Sequence, residues 1–72
     1  DLDGFSSAYA PGVSAASPMG FDTDIVLACL KHIFESKKVI SLDIAEMNPV
    51  YDQDNQTAKL AAGLLHQIIP WI

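Results

Sequence analysis

The sequence predicts an α/β protein: the C-terminal βαβα portion of a three-layer helix–sheet–helix sandwich built on a parallel sheet. Three observations carry that prediction. Two segments, 23–36 and 57–69, repeat apolar residues at helical spacing. Between them, residues 38–46 form an apolar, β-branched run without clean alternation, the pattern of a strand buried on both faces. The chain has 72 residues, half of them apolar. A chain this short buries only roughly 60% of its unfolded surface unaided. Residues 1–72 are therefore expected to be part of one larger domain, with the remainder N-terminal.

The elements follow in order. The first strand is expected to end at Asp1–Asp3. Residues 4–22, GFSSAYAPGVSAASPMGFD, are rich in Gly, Ser, Ala and Pro and read as a long loop, with Pro11-Gly12 and Pro18 as turn markers. Loops of this length in compact domains are often functional. In the helix at 23–36, Asp22 or Thr23 caps the start and Asp24 adds a first-turn acid. Ile25, Ala28, Cys29, His32 and Ile33 give its apolar face, with Cys29 read as a small core hydrophobe. The strand at 38–46, KVISLDIAE, contains Asp43 and ends at Glu46. Residues 47–56 form a polar loop broken by Asn48-Pro49, in which Asp52 and Asp54 read as turn and cap residues. In the helix at 57–69, Asp54 or Asn55 is the cap candidate, and Ala61, Leu64, Leu65, Ile68 and Ile69 line one face. Gly63 is a weak point there or a close-packing point, and Pro70 is the stop.

Composition excludes several classes. No apolar run approaches the ~20 residues of a membrane-spanning helix. No secretory signal is visible, and the expected location is cytoplasmic. The single cysteine cannot form an internal disulfide. Four basic against nine acidic residues give a net charge of −5, so the basic patch of a nucleic-acid binder is lacking. Such an acidic chain suits metal ions or cationic substrate groups.

Ligands of open parallel sheets bind outside the carboxyl ends of the strands. Asp1 and Asp3 fall at the first such end and Glu46 at the second. On an extended chain, residues two apart point to one side. Like charges so placed repel, and a cation relieves them; oxygen-only donors suit Mg²⁺ or Mn²⁺. A lone Asp-x-Asp is also the pattern of a solvated turn.

Two longer patterns narrow the reading. D-L-D-x3-S-x3-P-G-x7-G, from Asp1 to Gly20, resembles a signature of the ureohydrolase family, which includes arginase, agmatinase and formimidoylglutamase. SLDIAEMNPVYDQDNQTAKLAA, from Ser41 to Ala62, is similar to the family's later block. The phrase APGVSA looks most like formimidoylglutamase. The resemblance implies an arginase-like fold and a pair of Mn²⁺ ions, bridged by Asp1 and bound on one side by Asp3. It implies that Glu46 contacts the cationic amidine or guanidine of a small-molecule substrate, and that the whole enzyme is a homo-oligomer. The implied reaction is hydrolysis of a linear C–N amidine bond. Ser6 and Ser7 replace the Asp-Pro common in arginases, which bears on the subfamily. The Gly-Gly-Asp-His and Asp-Ala-His-x-Asp blocks that supply the other metal ligands are not in these 72 residues, so the chain alone is expected to be inactive.

Two rivals remain at this point. The opening D-L-D-G resembles haloacid-dehalogenase-type phosphatases, although Phe5 stands where they carry Thr or Ser. A small acidic interaction module is the non-enzymatic alternative. Asp43 reads either as a partner of the metal ligands or as a structural acid. His32 and His66 read as packed or half-exposed histidines rather than ligands.

Overall fold

The computed structural model describes residues 1–72. Its regular elements are a 3-10 turn at Leu2–Gly4, helix α1 at Thr23–Glu35, helix α2 at Gln56–Ile68, and a second 3-10 turn at Ile69–Trp71. Both expected helices are present, within a residue of the expected bounds. No strand forms. Extended pairing is limited to two isolated parallel bridges, Phe5 with Phe21 and Ser6 with Ser17.

The two expected strands are corrected accordingly. Residues 2–4 turn as a 3-10 helix rather than extending. Asp3 lies inside this turn and Asp1 caps it. Residues two apart on a 3-10 helix stand ~240° apart around its axis, so the alternation argument for Asp1 and Asp3 does not hold here. Residues 38–46 carry no ladder. A strand exists only by pairing with a neighbour, and the inter-segment backbone bond of this stretch is a single one, from Leu2 N–H to Ala45 O at 3.0 Å. Val39 packs partly against the core, but Ile40, Leu42 and Ile44 stay accessible, with Ile40 98% exposed.

α1 starts where its cap dictates. Asp22 has extended backbone, and its Oδ1 accepts the Ile25 N–H at 2.9 Å. The helix ends at Ser36, whose hydroxyl donates to the Ile33 carbonyl at 2.6 Å, and Lys37 then turns left-handed with φ 60°. The long loop before α1 is ordered by backbone bonds rather than by strands. Ser6 N–H donates to Phe21 O, Phe21 N–H to Gly4 O, and Ser7 N–H to Ser17 O, all within 2.9 Å. Gly20 is required by this closure. A Cβ there would lie 2.5 Å from the Phe5 carbonyl carbon.

Leu2, Phe5, Ala10, Val13, Phe34, Leu64 and Ile68 form the core. The face that α1 packs inward is Val26, Leu30 and Phe34, with Leu27 beside it. The expected face is rotated away: Ile25, Ala28, Cys29, His32 and Ile33 are all exposed. Both stripes are apolar at helical spacing, and contact with the loop and α2 selects one of them. Cys29 is thus a surface thiol and not a core residue. On α2, Leu64 and Ile68 pack as expected, whereas Leu65, and Ile69 just beyond the helix end, remain exposed. Gly63 meets no atom within 4 Å of an added Cβ, so it is a weak point and not a packing point. Trp71 packs on Phe34 with ring centroids 6.4 Å apart.

Candidate functional site

The Leu2–Ala45 backbone bond is the key contact, because it joins the segment bearing Asp1 and Asp3 to the segment bearing Glu46. Asp1 is exposed and lines a cleft of about 220 Å³. Asp43 lines the same cleft, over an apolar floor that includes Leu2, Phe5, Leu30 and Ile68. Asp43 is exposed, which corrects the expectation of a buried strand acid. Asp3 is half-buried in its turn and does not line the cleft.

Glu46 is exposed and its backbone is left-handed, with φ 78°. That region costs a non-glycine residue roughly 1–2 kcal/mol, so the flanking chain must hold it. It is held on both sides. Ala45 O accepts from Leu2 N–H at 3.0 Å, and Asn48 N–H donates to Gly12 O at 2.7 Å. A turn then closes from Tyr51 N–H to Asn48 O at 3.1 Å, while Asn48 Oδ1 accepts the Val50 N–H at 3.0 Å.

The largest polar network of the chain lies on the other side of Gly12. Asp52 Oδ1 accepts from the amides of Gln53 and Thr57 at 3.0 and 2.9 Å, and its Oδ2 accepts from Ala58 at 3.2 Å. The carboxylate thereby satisfies two of the free amides at the start of α2 and places negative charge at the positive end of its dipole. Partial burial pushes the Asp52 carboxyl up. The amide and hydroxyl of Thr57, with the Ala58 and Gln53 amides, outweigh that and hold it below its ordinary value. Thr57 is fully buried, and its Oγ1 accepts the Gly12 N–H at 2.7 Å. Gln56 reaches across to the Ala8 carbonyl at 2.6 Å. The sequence offers Asp54 or Asn55 as the cap of α2; Asn55 takes the cap position without a side-chain bond, and the carboxylate of Asp52 holds the amides instead. The link of Asp52 through Thr57 to Gly12 was not legible in the sequence, because Thr57 and Gly12 are 45 positions apart.

Chemically, Asp1 and Asp3 offer hard oxygen donors, which suit manganese or magnesium. Two carboxylates are too few for a metal pair. Within these 72 residues, no three His, Cys, Asp or Glu side chains gather as a metal site. The histidines add nothing to it: His32 is 91% exposed on α1, with Nδ1 4.0 Å from Glu35 Oε2, a surface pair of little energetic weight.

Comparison with known proteins identifies the family. A model of the arginase family matches residues 1–70. A formimidoylglutamase of Clostridium tetani (strain Massachusetts / E88) is 51% identical over 70 residues, covering 97% of this chain and 21% of that protein. A formimidoylglutamase of Staphylococcus aureus (strain JH9) is 52% identical over 68 residues, covering 94% of this chain and 22% of that protein. The chain thus spans about a fifth of the length of these curated relatives. With half of its residues shared along nearly its whole length, and the family match running from Asp1 to Pro70, this chain, whose own regular elements are helical, belongs to the arginase family, is formimidoylglutamase-like, and by that membership is part of an α/β fold.

Proposed function

We propose that these residues form the C-terminal part of a manganese-dependent hydrolase that cleaves a linear C–N amidine bond, with N-formimidoyl-glutamate as substrate. The observation that carries this reading is the Leu2–Ala45 bond. It ties the residue before Glu46 to the residue between Asp1 and Asp3, which supports a site that holds a cationic amidine next to acidic ligands. The formimidoylglutamase relatives supply the substrate class. The donors of Asp1 and Asp3 are of the right kind for manganese but do not complete a site.

Glu46 is assigned the binding role. Its carboxylate pairs with the N–H groups of the amidinium, a charge-assisted hydrogen bond. That pairing orients the amidine carbon for attack by water, a proximity effect. Water adds to the carbon and gives a tetrahedral intermediate. Its C–N bond to the glutamate nitrogen breaks, the nitrogen takes a proton, and glutamate and formamide leave. The same reading places the whole enzyme in the cytoplasm as a homo-oligomer.

The test uses the longer enzyme that carries this segment. Hydrolysis of N-formimidoyl-glutamate is measured beside arginine and agmatine, for the parent and for Glu46→Gln and Asp1→Ala. A hydrogen bond to a charged group contributes about 1.5–3 kcal/mol, so Glu46→Gln should lower kcat/KM by roughly 10- to 100-fold. Asp1→Ala should abolish turnover. Turnover of arginine or agmatine instead would overturn the substrate assignment and keep the site. Activity that survives both variants would overturn the site.

A further inference from the structure

The network around Asp52 has no part in the chemistry above, yet one backbone residue connects it to Glu46. Gly12 has both of its backbone groups committed at 2.7 Å. Its N–H donates to the buried Thr57 hydroxyl oxygen, and its C=O accepts from Asn48. Gly12 is also pressed against the Asp52 side chain, where an added Cβ would come within 2.7 Å of Cγ and Oδ1. Asp52 in turn grips the amides of Thr57 and Ala58 at the head of α2. The chain of contacts therefore runs from α2 through Thr57 and Gly12 to Asn48, two residues beyond Glu46.

We infer that Thr57 and Asp52 are positioning residues for Glu46, acting through Gly12 and Asn48. The proposal rests on the reading of Glu46 as the substrate contact. A left-handed non-glycine residue persists only where its surroundings over-determine it. Glu46 has two such restraints, one at Ala45 and one at Asn48. The Asn48 restraint is only as firm as Gly12, and Gly12 is fixed by Thr57 and Asp52. Loss of the Thr57 hydroxyl leaves the Gly12 N–H without its buried partner. Gly12 then shifts, Asn48 is released, and Glu46 relaxes out of the left-handed region and re-aims its carboxylate. Simple capping of α2 does not require this route, because a cap needs neither Gly12 nor Asn48.

The experiment is a double-mutant cycle in the complete, metal-loaded enzyme, read as kcat/KM for N-formimidoyl-glutamate. Misplacing a group by about 1 Å can cost up to roughly 100-fold in rate, so Thr57→Val should lower kcat/KM by about 10-fold or more. Thr57→Ser, which keeps the hydroxyl, should stay within about 3-fold of the parent. In a Glu46→Gln background, Thr57→Val should cost less than about 2-fold, because coupled residues are non-additive. Hydrogen exchange of the peptide containing Asn48 should speed up in Thr57→Val and not in Thr57→Ser. If Thr57→Val does not fold, Asp52→Asn enters the same cycle, with the same expected non-additivity. Additive losses in the double variant, or unchanged Asn48 exchange, would overturn the positioning role. A Glu46→Gln variant of full activity would overturn the underlying reading instead, and the two failures are thereby told apart.

Discussion

Alanine placed at Gly12 and at Gly63 makes the same chemical change at two sites where the structure demands opposite outcomes. At residue 12, the new Cβ would lie 2.7 Å from Cγ and Oδ1 of Asp52 and 2.8 Å from its Cβ. Carbon atoms pack best at about 3.5–4.0 Å, so Asp52 must withdraw from the amides of Thr57 and Ala58, or the loop must move off α2. Overpacking of this kind costs about 1–3 kcal/mol. At residue 63 the new Cβ meets nothing within 4 Å, and the backbone is ordinary helix. Alanine there gains helix propensity alone, about 0.8–1 kcal/mol. The two variants should differ by about 2–4 kcal/mol in stability. Urea titration of the 72-residue chain, followed by helical circular dichroism, reads that difference. With a slope of about 1 kcal/mol per molar urea, the two midpoints should stand about 2 M or more apart. Gly12→Ala as stable as the parent would refute the close approach of loop and helix. Gly63→Ala less stable than the parent would refute the open surface at that position. The absence of a cooperative transition in all three proteins would show that these residues pack only within the longer enzyme, where the same comparison is then made.

Three further outcomes are expected in the same titration. Asp22→Ala removes the acceptor of the Ile25 N–H and should cost about 1 kcal/mol; no change would show that α1 starts without its cap. Ile68→Ala should cost about 2–5 kcal/mol at a position only 2% exposed, whereas Ile69→Ala, 64% exposed, should stay within about 0.5 kcal/mol. Equal losses at the two would mean that α2 is rotated about its axis. Asp52 binds its proton more weakly in the folded chain than in the unfolded one. Its contribution to stability is therefore present above the ordinary carboxylate range of about 4 and is lost as pH falls through the depressed folded value. Asp52→Asn should flatten that acid limb; an unchanged acid limb in the variant would show that Asp52 is not among the groups that set it.

Local chemistry made much of this chain legible before its structure. The start of α1 was readable because a cap acts over three residues, from Asp22 to Ile25. Both helices were readable because apolar spacing at 3.6 residues leaves few alternatives over thirteen positions. The family was readable because two separate motifs appear in order, from Asp1 to Gly20 and from Ser41 to Ala62.

Tertiary contact decided the rest. Periodicity allows α1 two apolar stripes one residue apart. Only contact with the loop and α2 buries Val26, Leu30 and Phe34 and leaves Ile25, Cys29 and Ile33 outside. A strand requires a partner, and residues 38–46 make a single inter-segment backbone bond, through Ala45, so a β-branched run stays without a ladder. Asp1 and Asp3 were visible as acids, but their turn sets them around a 3-10 axis instead of along one side of a strand. The restraint on Glu46 was beyond any local pattern. It passes from Thr57 to Gly12 and on to Asn48, and hydrogen bonds between residues so far apart in sequence exist only once the chain has closed on itself.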